Sequence, residues 1–496
     1  MSPTLEDGRH PDDLAYPRQS ARTRGYTCGQ PRDATVSPDG ARVVFLRSGG
    51  GTDPVNRLWV LDVVTGAERC VFDPLAAPGE EVALTPAERA RRERMRERAT
   101  GVVAYATDRD VRTAVFVEGG RLLVSDLVTG EWHELEVDGV PDDPRLSPDG
   151  STVAFVLGGA LLVQPAAGGA SRELASDPDP DVSWGLAEFA AAEELGRRRG
   201  FWWSHDSAHL AVARADERPV PVWWITDPTD PSAEPVRTHY PQAGADNAIV
   251  TLHVIEVATG RVVDVAWDEP ERFEYLTRVL WDAHGLAIQV DARDFSEVRV
   301  LAVDPATGTT SPLVSHTDPR WIEPTDGVPV RLDDGRLVTT VHHGDVRALA
   351  VDGAPVSPED LHVAEVLEPS GDGVLVVSSF GDPMQDHVWR IVPGHAAARL
   401  TDEPGLHTAT GGGDVLVVKS WLEDRQHPRT QVRRGDEVIA ELENLAEEPV
   451  LTPSTRFLRV GEHRLPVAVH VPGGRDPDGP LPVLVSSYGG PHVKMV

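Results

Sequence analysis

Residues 37–48 read SPDGARVVFLRS, and closely similar text returns as SPDGSTVAFVLG at 147–158 and as SHDSAHLAVARA at 204–215. Each is a tight turn running into a strand. Proline and aspartate preset the turn, glycine supplies a positive φ, and the alternating, largely β-branched residues that follow favour a half-buried strand. A second element travels with it. The strand RLWVLDVV at 57–64 runs into Thr65-Gly66, and the Thr-Gly turn recurs at Thr129-Gly130, Thr259-Gly260 and Thr307-Gly308. Units of roughly 40 to 50 residues, each holding the material of a small antiparallel sheet, are the signature of a β-propeller. A run of β-sandwiches would also be strand-rich, but turns repeating in similar dress favour blades. The fold class is therefore all-β, a propeller with short helical insertions.

Composition narrows the partners. At 496 residues the chain is too long for one core. Asp and Glu outnumber Lys and Arg by 79 to 47, a formal net charge of −32. That balance argues against nucleic acid and against anionic membrane surfaces. Cys28 and Cys70 are the only cysteines. They provide neither a disulfide framework nor a metal-ligand spacing, so packed, reduced thiols are expected, with no cofactor and no metal. The opening MSPTLEDGRHPDDLAYPRQ is polar and proline-broken, unlike a signal peptide or membrane anchor. Residues 1–25 read as an N-terminal extension to a propeller over 26–451, and the cytoplasm is the default location.

Three stretches interrupt the strands. Thr85-Pro86-Ala87-Glu88 has the form of a capping box with proline at the first helical position, and ERARRERMRERA (88–99) continues it. This helix is polar nearly all round, so it belongs on the rim, held by Glu–Arg pairs, unless it delivers an arginine to a ligand. The stretch 184–203, WGLAEFAAAEELGRRRGFWW, places a short helix of strong helix formers between tryptophans, ended by Gly196 and Gly200. Its adjacent carboxylates, Glu193 and Glu194, either face water or bracket a cation such as a peptide's terminal ammonium. From 215 to 247, dense prolines predict extended, irregular chain in which Trp223 and Trp224 pack. His342, His343, His387 and His407 show no ligand spacing and read as ordinary surface or core residues.

Near residue 452 the character changes. RFLRVGEHRLPVAVHVPGG (456–474) is hairpin-like, and the unalternating apolar run Val483-Leu484-Val485 reads as a strand buried on both faces, as in a parallel α/β sheet. It meets a glycine-rich turn, Ser486 to His492, at the edge where α/β folds place chemistry. Residues 452–496 thus read as the truncated start of a second, α/β domain.

Together these pieces resemble the dipeptidyl peptidase IV branch of the prolyl oligopeptidase family. The resemblance runs from about residue 26 to the end. Its most specific parts are residues 184–223, the segment HYPQAGADNA at 239–248 and the terminal LPVLVSSYGGPHVKMV. It implies an eight-bladed propeller joined to an α/β-hydrolase domain. It also implies removal of N-terminal dipeptides with proline or alanine second, on peptide substrates with a free N-terminus. Glu193 and Glu194 resemble the family's paired glutamates that hold that terminus. Arg92, Arg94 or Arg96 resembles the arginine that steadies substrate carbonyls, with Arg96 preferred. Tyr488 resembles the tyrosine whose hydroxyl helps form the oxyanion hole. Homodimerisation of the full-length enzyme is a further implication.

The departures are equally definite. A serine peptidase of this type needs a GxSxG elbow followed by Asp and His. The sequence has no GxSxG. It is expected to anchor substrate without cutting it alone, the alternative being a non-catalytic propeller that binds peptides or a protein partner.

Overall fold

In the computed structural model, which describes residues 11–77, 79, 82–451, 454–471 and 480–487, the three serine-headed turns are built alike. The N–H groups of Gly40, Gly150 and Ser207 donate to the carbonyls of Ser37, Ser147 and Ser204 at 2.8, 2.8 and 3.0 Å. Each of those serine hydroxyls donates to the aspartate two residues on, at 2.5, 2.6 and 2.6 Å. The fourth residue is left-handed in all three, with φ of 65°, 74° and 63°. At Ser207 a side chain tolerates what glycine adopts freely in the other two.

The chain forms eight sheets of antiparallel strands, spanning residues 32–72, 106–135, 142–175, 182–265, 275–317, 330–355, 363–399 and 405–442, the first with a short parallel addition at Thr100–Gly101. We call them blades 1 to 8. Strands follow chain order within a blade, and the first strands of blades 8 and 1, 2 and 3, 4 and 5, 6 and 7, and 7 and 8 lie against one another around the central tunnel. The strand Arg42–Ser48 shows why the apolar pattern suits this arrangement. Its residues 43–48 are all buried, where alternation suggested a half-buried strand. Val43 and Phe45 pack toward blade 8, while Val44 and Leu46 pack toward blade 2. A blade sandwiched between two others is buried on both faces. Apolar clusters of this kind join seven of the neighbouring pairs. Between blades 5 and 6 the buried Arg331 guanidinium donates to Asp282 and to the Gly285 carbonyl, at 3.0 and 3.1 Å.

Among the described residues, no strand is exchanged between blades 1 and 8. The ring is closed by their apolar cluster and by a clasp. Helix α1 (Pro11–Arg22), within the stretch read as an extension, lays Gln19 against the chain leaving blade 8. Gln19 donates to Glu447 and to the Glu448 carbonyl (3.1 and 2.9 Å) and accepts from Val450 N–H (2.9 Å). Arg22 pairs with Glu447 at 2.7 Å, and Leu445 N–H donates to the Gly29 carbonyl at 2.9 Å.

Two expectations are corrected. Trp223 and Trp224 do not pack into the body. They lie on a hairpin, Val222–Ile225 against Val236–His239, that leaves blade 4 between its second and third strands, and they are 49% and 62% exposed. A two-stranded ribbon has no second layer in which to bury them. Beyond the propeller, Ser454–Val460 and Leu465–Val471 form the expected hairpin. Val483, Leu484 and Val485, expected to be a buried strand, are 82%, 94% and 82% exposed and pair with no strand among the described residues. Tyr488 lies outside the described residues.

Candidate functional site

Helix α2 (Pro86–Arg94) lies in the link from blade 1 to blade 2. Thr85 accepts the Glu88 N–H at 3.0 Å and Pro86 takes the first helical position, as the sequence predicts. The reciprocal half of the capping box is not made. The Glu88 carboxylate turns outward to Arg91 (2.6 and 2.8 Å) and Arg92 (2.6 Å). No residue of the helix is buried, so its anchorage is polar. The Thr85 hydroxyl donates to Asp142 at the start of blade 3 (2.5 Å), and Glu97, just past the helix, pairs with Arg32 of blade 1. Burial, and then the neighbouring charges of Glu88 and Asp143, push the Asp142 carboxyl up to about 6.

Helix α3 (Phe189–Glu193) interrupts the first strand of blade 4. Val182–Trp184 and Phe201–Trp203 both pair with the second strand, His209–Asp216, and residues 185–200 loop out between them. The neck of that loop is pinched. A Cβ on Gly200 would lie 2.4 Å from the Gly185 carbonyl carbon, a contact only glycine avoids. Gly196, with φ 67°, ends the helical segment. Glu188 caps the helix by accepting the Ala191 N–H (3.2 Å), and its other oxygen takes Arg197 Nη2 at 2.5 Å. Both side chains are buried, at 6% and 2% exposure. Arg197 also donates to the carbonyls of Leu276 (2.7 Å) and Arg199 (3.1 Å), and Arg278 of blade 5 reaches the Leu195 carbonyl. A helix of one turn is thus held by ionic and backbone bonds to the next blade.

These anchors bring α2 and α3 together. Glu193 and Glu194 emerge exposed at the end of α3, and Arg94 Nε lies 3.4 Å from Glu193 Oε2. The Arg94 guanidinium covers the Phe189 ring at 5.4 Å. Phe189 meets Tyr240 edge-on at 5.1 Å, and Tyr240 meets Trp223 at 5.5 Å, so the hairpin continues the wall of the site. A third carboxylate, Glu217, stands nearby. Burial raises its pKa against the pull of the charges on His239 and Arg94. The segment HYPQAGADNA is pinned to blade 5, with the Asn247 amide donating to Glu274 and to the Tyr275 hydroxyl, both at 3.1 Å.

Of the residues singled out from sequence, Glu193 and Glu194 therefore share one surface with Arg94. Arg92 is engaged by Glu88. Arg96 is exposed just past the end of α2, with φ 51°. Sequence reasoning missed Glu188, Arg197, Glu217, Phe189 and Tyr240. Only Glu188 carried a signal, as an acceptor side chain immediately ahead of a run of helix formers. Chemically, the surface offers a pair of carboxylates to a cation and a guanidinium to an oxygen acceptor, on a rigid base.

A family model described as the dipeptidyl peptidase IV (DPP IV) N-terminal region matches residues 98–410. The chain belongs to this family. Among curated relatives, this DPP IV-type propeller is 25% identical over 369 residues to the "Probable dipeptidyl-aminopeptidase B" of Ajellomyces capsulatus strain H88, covering 64% of the chain and 40% of the relative. It is 27% identical over 281 residues to the protein of the same name from Aspergillus oryzae, covering 48% and 31%. The DPP IV-type chain thus spans 40% or less of the length of these relatives. Among solved structures, Porphyromonas gingivalis dipeptidyl peptidase 4 shares the fold with a TM-score of 0.71 at 16% identity, over 91% of this chain and 66% of that one.

Proposed function

We propose that this chain is the substrate-anchoring and gating part of a serine-type dipeptidyl peptidase that releases X-Pro and X-Ala dipeptides. Glu193 and Glu194 hold the peptide's terminal ammonium. Arg94, rather than the Arg96 preferred from sequence, faces the substrate carbonyls. The observation that carries the reading is the placement of the carboxylate pair. It stands on a short helix fixed by the buried Glu188–Arg197 bridge, with Arg94 alongside Glu193. An ammonium fixed at one point sets the length of chain that reaches a scissile bond, which accounts for release of dipeptides. The resemblance assigns Tyr488 to the oxyanion hole. With no GxSxG in the sequence, bond cleavage belongs to other residues than these. The exposed run Val483 to Val485 supports an adjoining hydrolase sheet, since an uncovered apolar edge invites a partner.

The test is a calorimetric titration of the chain with Ala-Pro-Ala and with its N-acetylated form. Losing one partner of such a charge pair costs about 2–5 kcal/mol, roughly 30-fold or more in affinity. Acetylation of the peptide and Glu193→Ala in the protein should each produce a loss of that order. Equal affinity for the free and acetylated peptides would sink the proposal. The second reading is a peptide-binding propeller without catalysis. Mass spectrometry on a polypeptide carrying this chain, as its host makes it, separates the two, because only a peptidase releases Ala-Pro.

A further inference from the structure

The first strands give the central tunnel a direction. In blades 1, 3 and 4 the first strand starts on the face that carries α2 and the 222–239 hairpin. It ends in a serine-headed turn on the opposite face. The late residues of these strands enclose a cavity of about 450 Å³ between blades 1 to 5. Thr35, Thr107, Arg145, Arg199, Trp203 and Trp281 are among its lining residues. Its strand residues lie past the pinched neck at Gly200, toward the serine-headed turns, while Arg199 lines it from the loop side of that neck, and none of its lining residues is Glu193 or Glu194.

Its charge is unusual for so acidic a protein. Two guanidinium groups enter one cavity. Arg145 is answered by Asp143, at 2.6 Å. Arg199 has no carboxylate in ion-pair contact among the described residues. Its guanidinium lies 5.8 Å from the Trp202 ring, and its side chain is open to the water of the tunnel. Enclosure by protein, and then the like charge of Arg145, push the Arg199 pKa down to about 10. Two guanidinium groups share the single nearby carboxylate of Asp143, so an anion that enters and pairs with Arg199 is stabilised.

We propose that this cavity is a binding site for a small carboxylate or phosphate anion, held by Arg199 with Arg145 beside it and walled by Trp203 and Trp281. The planar guanidinium fork fits either anion in bidentate fashion, and Trp203 and Trp281 add apolar surface to the lining for a body attached to it. The volume lies in the range of small-molecule pockets. The site is separate from the peptide-anchoring surface and does not depend on its assignment.

The probes are succinate and inorganic phosphate, titrated calorimetrically into the 496-residue chain. One of them binds at unit stoichiometry, and added salt weakens it. Arg199→Gln reduces that affinity about 10- to 100-fold, the size of a lost charge-assisted hydrogen bond. Arg145→Gln leaves Asp143 without its ion pair and weakens binding as well, so it serves as a second readout if the first variant folds poorly. Tighter succinate identifies a carboxylate ligand, and tighter phosphate a phosphate ligand. Dissociation constants above about 10 mM for both probes, or unchanged affinity in the two variants, overturn the proposal.

Discussion

Replacing Glu188 by alanine tests the physical basis of the candidate site more sharply than replacing Glu193 itself. Glu188 touches no ligand in the proposed arrangement, yet it joins the cap of α3 to the Arg197 guanidinium. In Glu188→Ala that guanidinium, 2% exposed, keeps its bonds to the carbonyls of Leu276 and Arg199 but has lost its counter-charge. Deleting one partner of a buried ion pair costs about 3–5 kcal/mol, and losing the cap adds about 1 kcal/mol. Domains are stable by only about 5–15 kcal/mol. The 185–200 loop can also open by itself, so some of this cost emerges as disorder of the loop rather than as global unfolding. Two assays are therefore needed. Urea unfolding should show a midpoint well below wild type, and titration with Ala-Pro-Ala should show weakened binding, because Glu193 and Glu194 lose their platform. The double variant Glu188→Ala with Arg197→Met removes both charges and should regain much of the lost stability. A Glu188→Ala protein matching wild type in both urea midpoint and peptide affinity would refute the claim that the bridge holds the site.

Other outcomes follow from single contacts. Arg94→Ala should weaken Ala-Pro-Ala binding at least several-fold while Arg96→Ala leaves it unchanged, since only Arg94 reaches Glu193; calorimetry on the two variants decides, and the reverse order would restore Arg96. The Asp142 carboxyl titrates at about 6 in the fold against 3.8 unperturbed, so the folded state holds its proton more tightly than the unfolded chain. Its neutral form is then the stabilised one: the contribution is complete below the unperturbed value and is lost as pH rises through 6. Asp142→Asn, which cannot ionise, should gain up to about 3 kcal/mol over wild type at high pH and nothing in acid, read from urea midpoints across the pH range. Gly29→Ala should loosen the ring clasp, because φ is 83° and the new Cβ would lie 2.5 Å from the Leu445 carbonyl carbon. A cost above about 2 kcal/mol is expected, of which 1–2 is backbone strain alone; Gly66→Ala, at φ 70° with open space around it, isolates that strain.

Much of the propeller was legible because its instructions are local. Ser37 to Gly40 and Thr65-Gly66 specify turns from their own side chains and φ preferences, and repetition turns a series of hairpins into blades. Thr85 and Pro86 mark a helix start for the same reason. The end of that helix was not legible. Whether residue 94 or 96 faces Glu193 depends on where the chain leaves the helix, and only the left-handed turn at Arg96 settles it. Glu193 and Glu194 stood out by type and adjacency, but their support did not. Glu188 and Arg197 are buried because Leu276, in the next blade, receives the same guanidinium, a relation that no spacing along the chain encodes. Trp223 and Trp224 misled for a related reason. Tryptophan suggests a core, but a hairpin projecting from blade 4 has none to offer.

The clasp at Gln19 and Glu447 has a mechanical consequence. A ring sewn shut by a shared strand must shear a ladder of hydrogen bonds before it opens, whereas among the described residues no such ladder crosses this joint. The two ends of the propeller chain meet there, so tension drawn between them falls first on Gln19, Arg22 and Gly29, and those bonds break in succession. The molecule should therefore yield like a seam being unpicked: a small early release at low force, then eight sturdier events as the blades give way in turn.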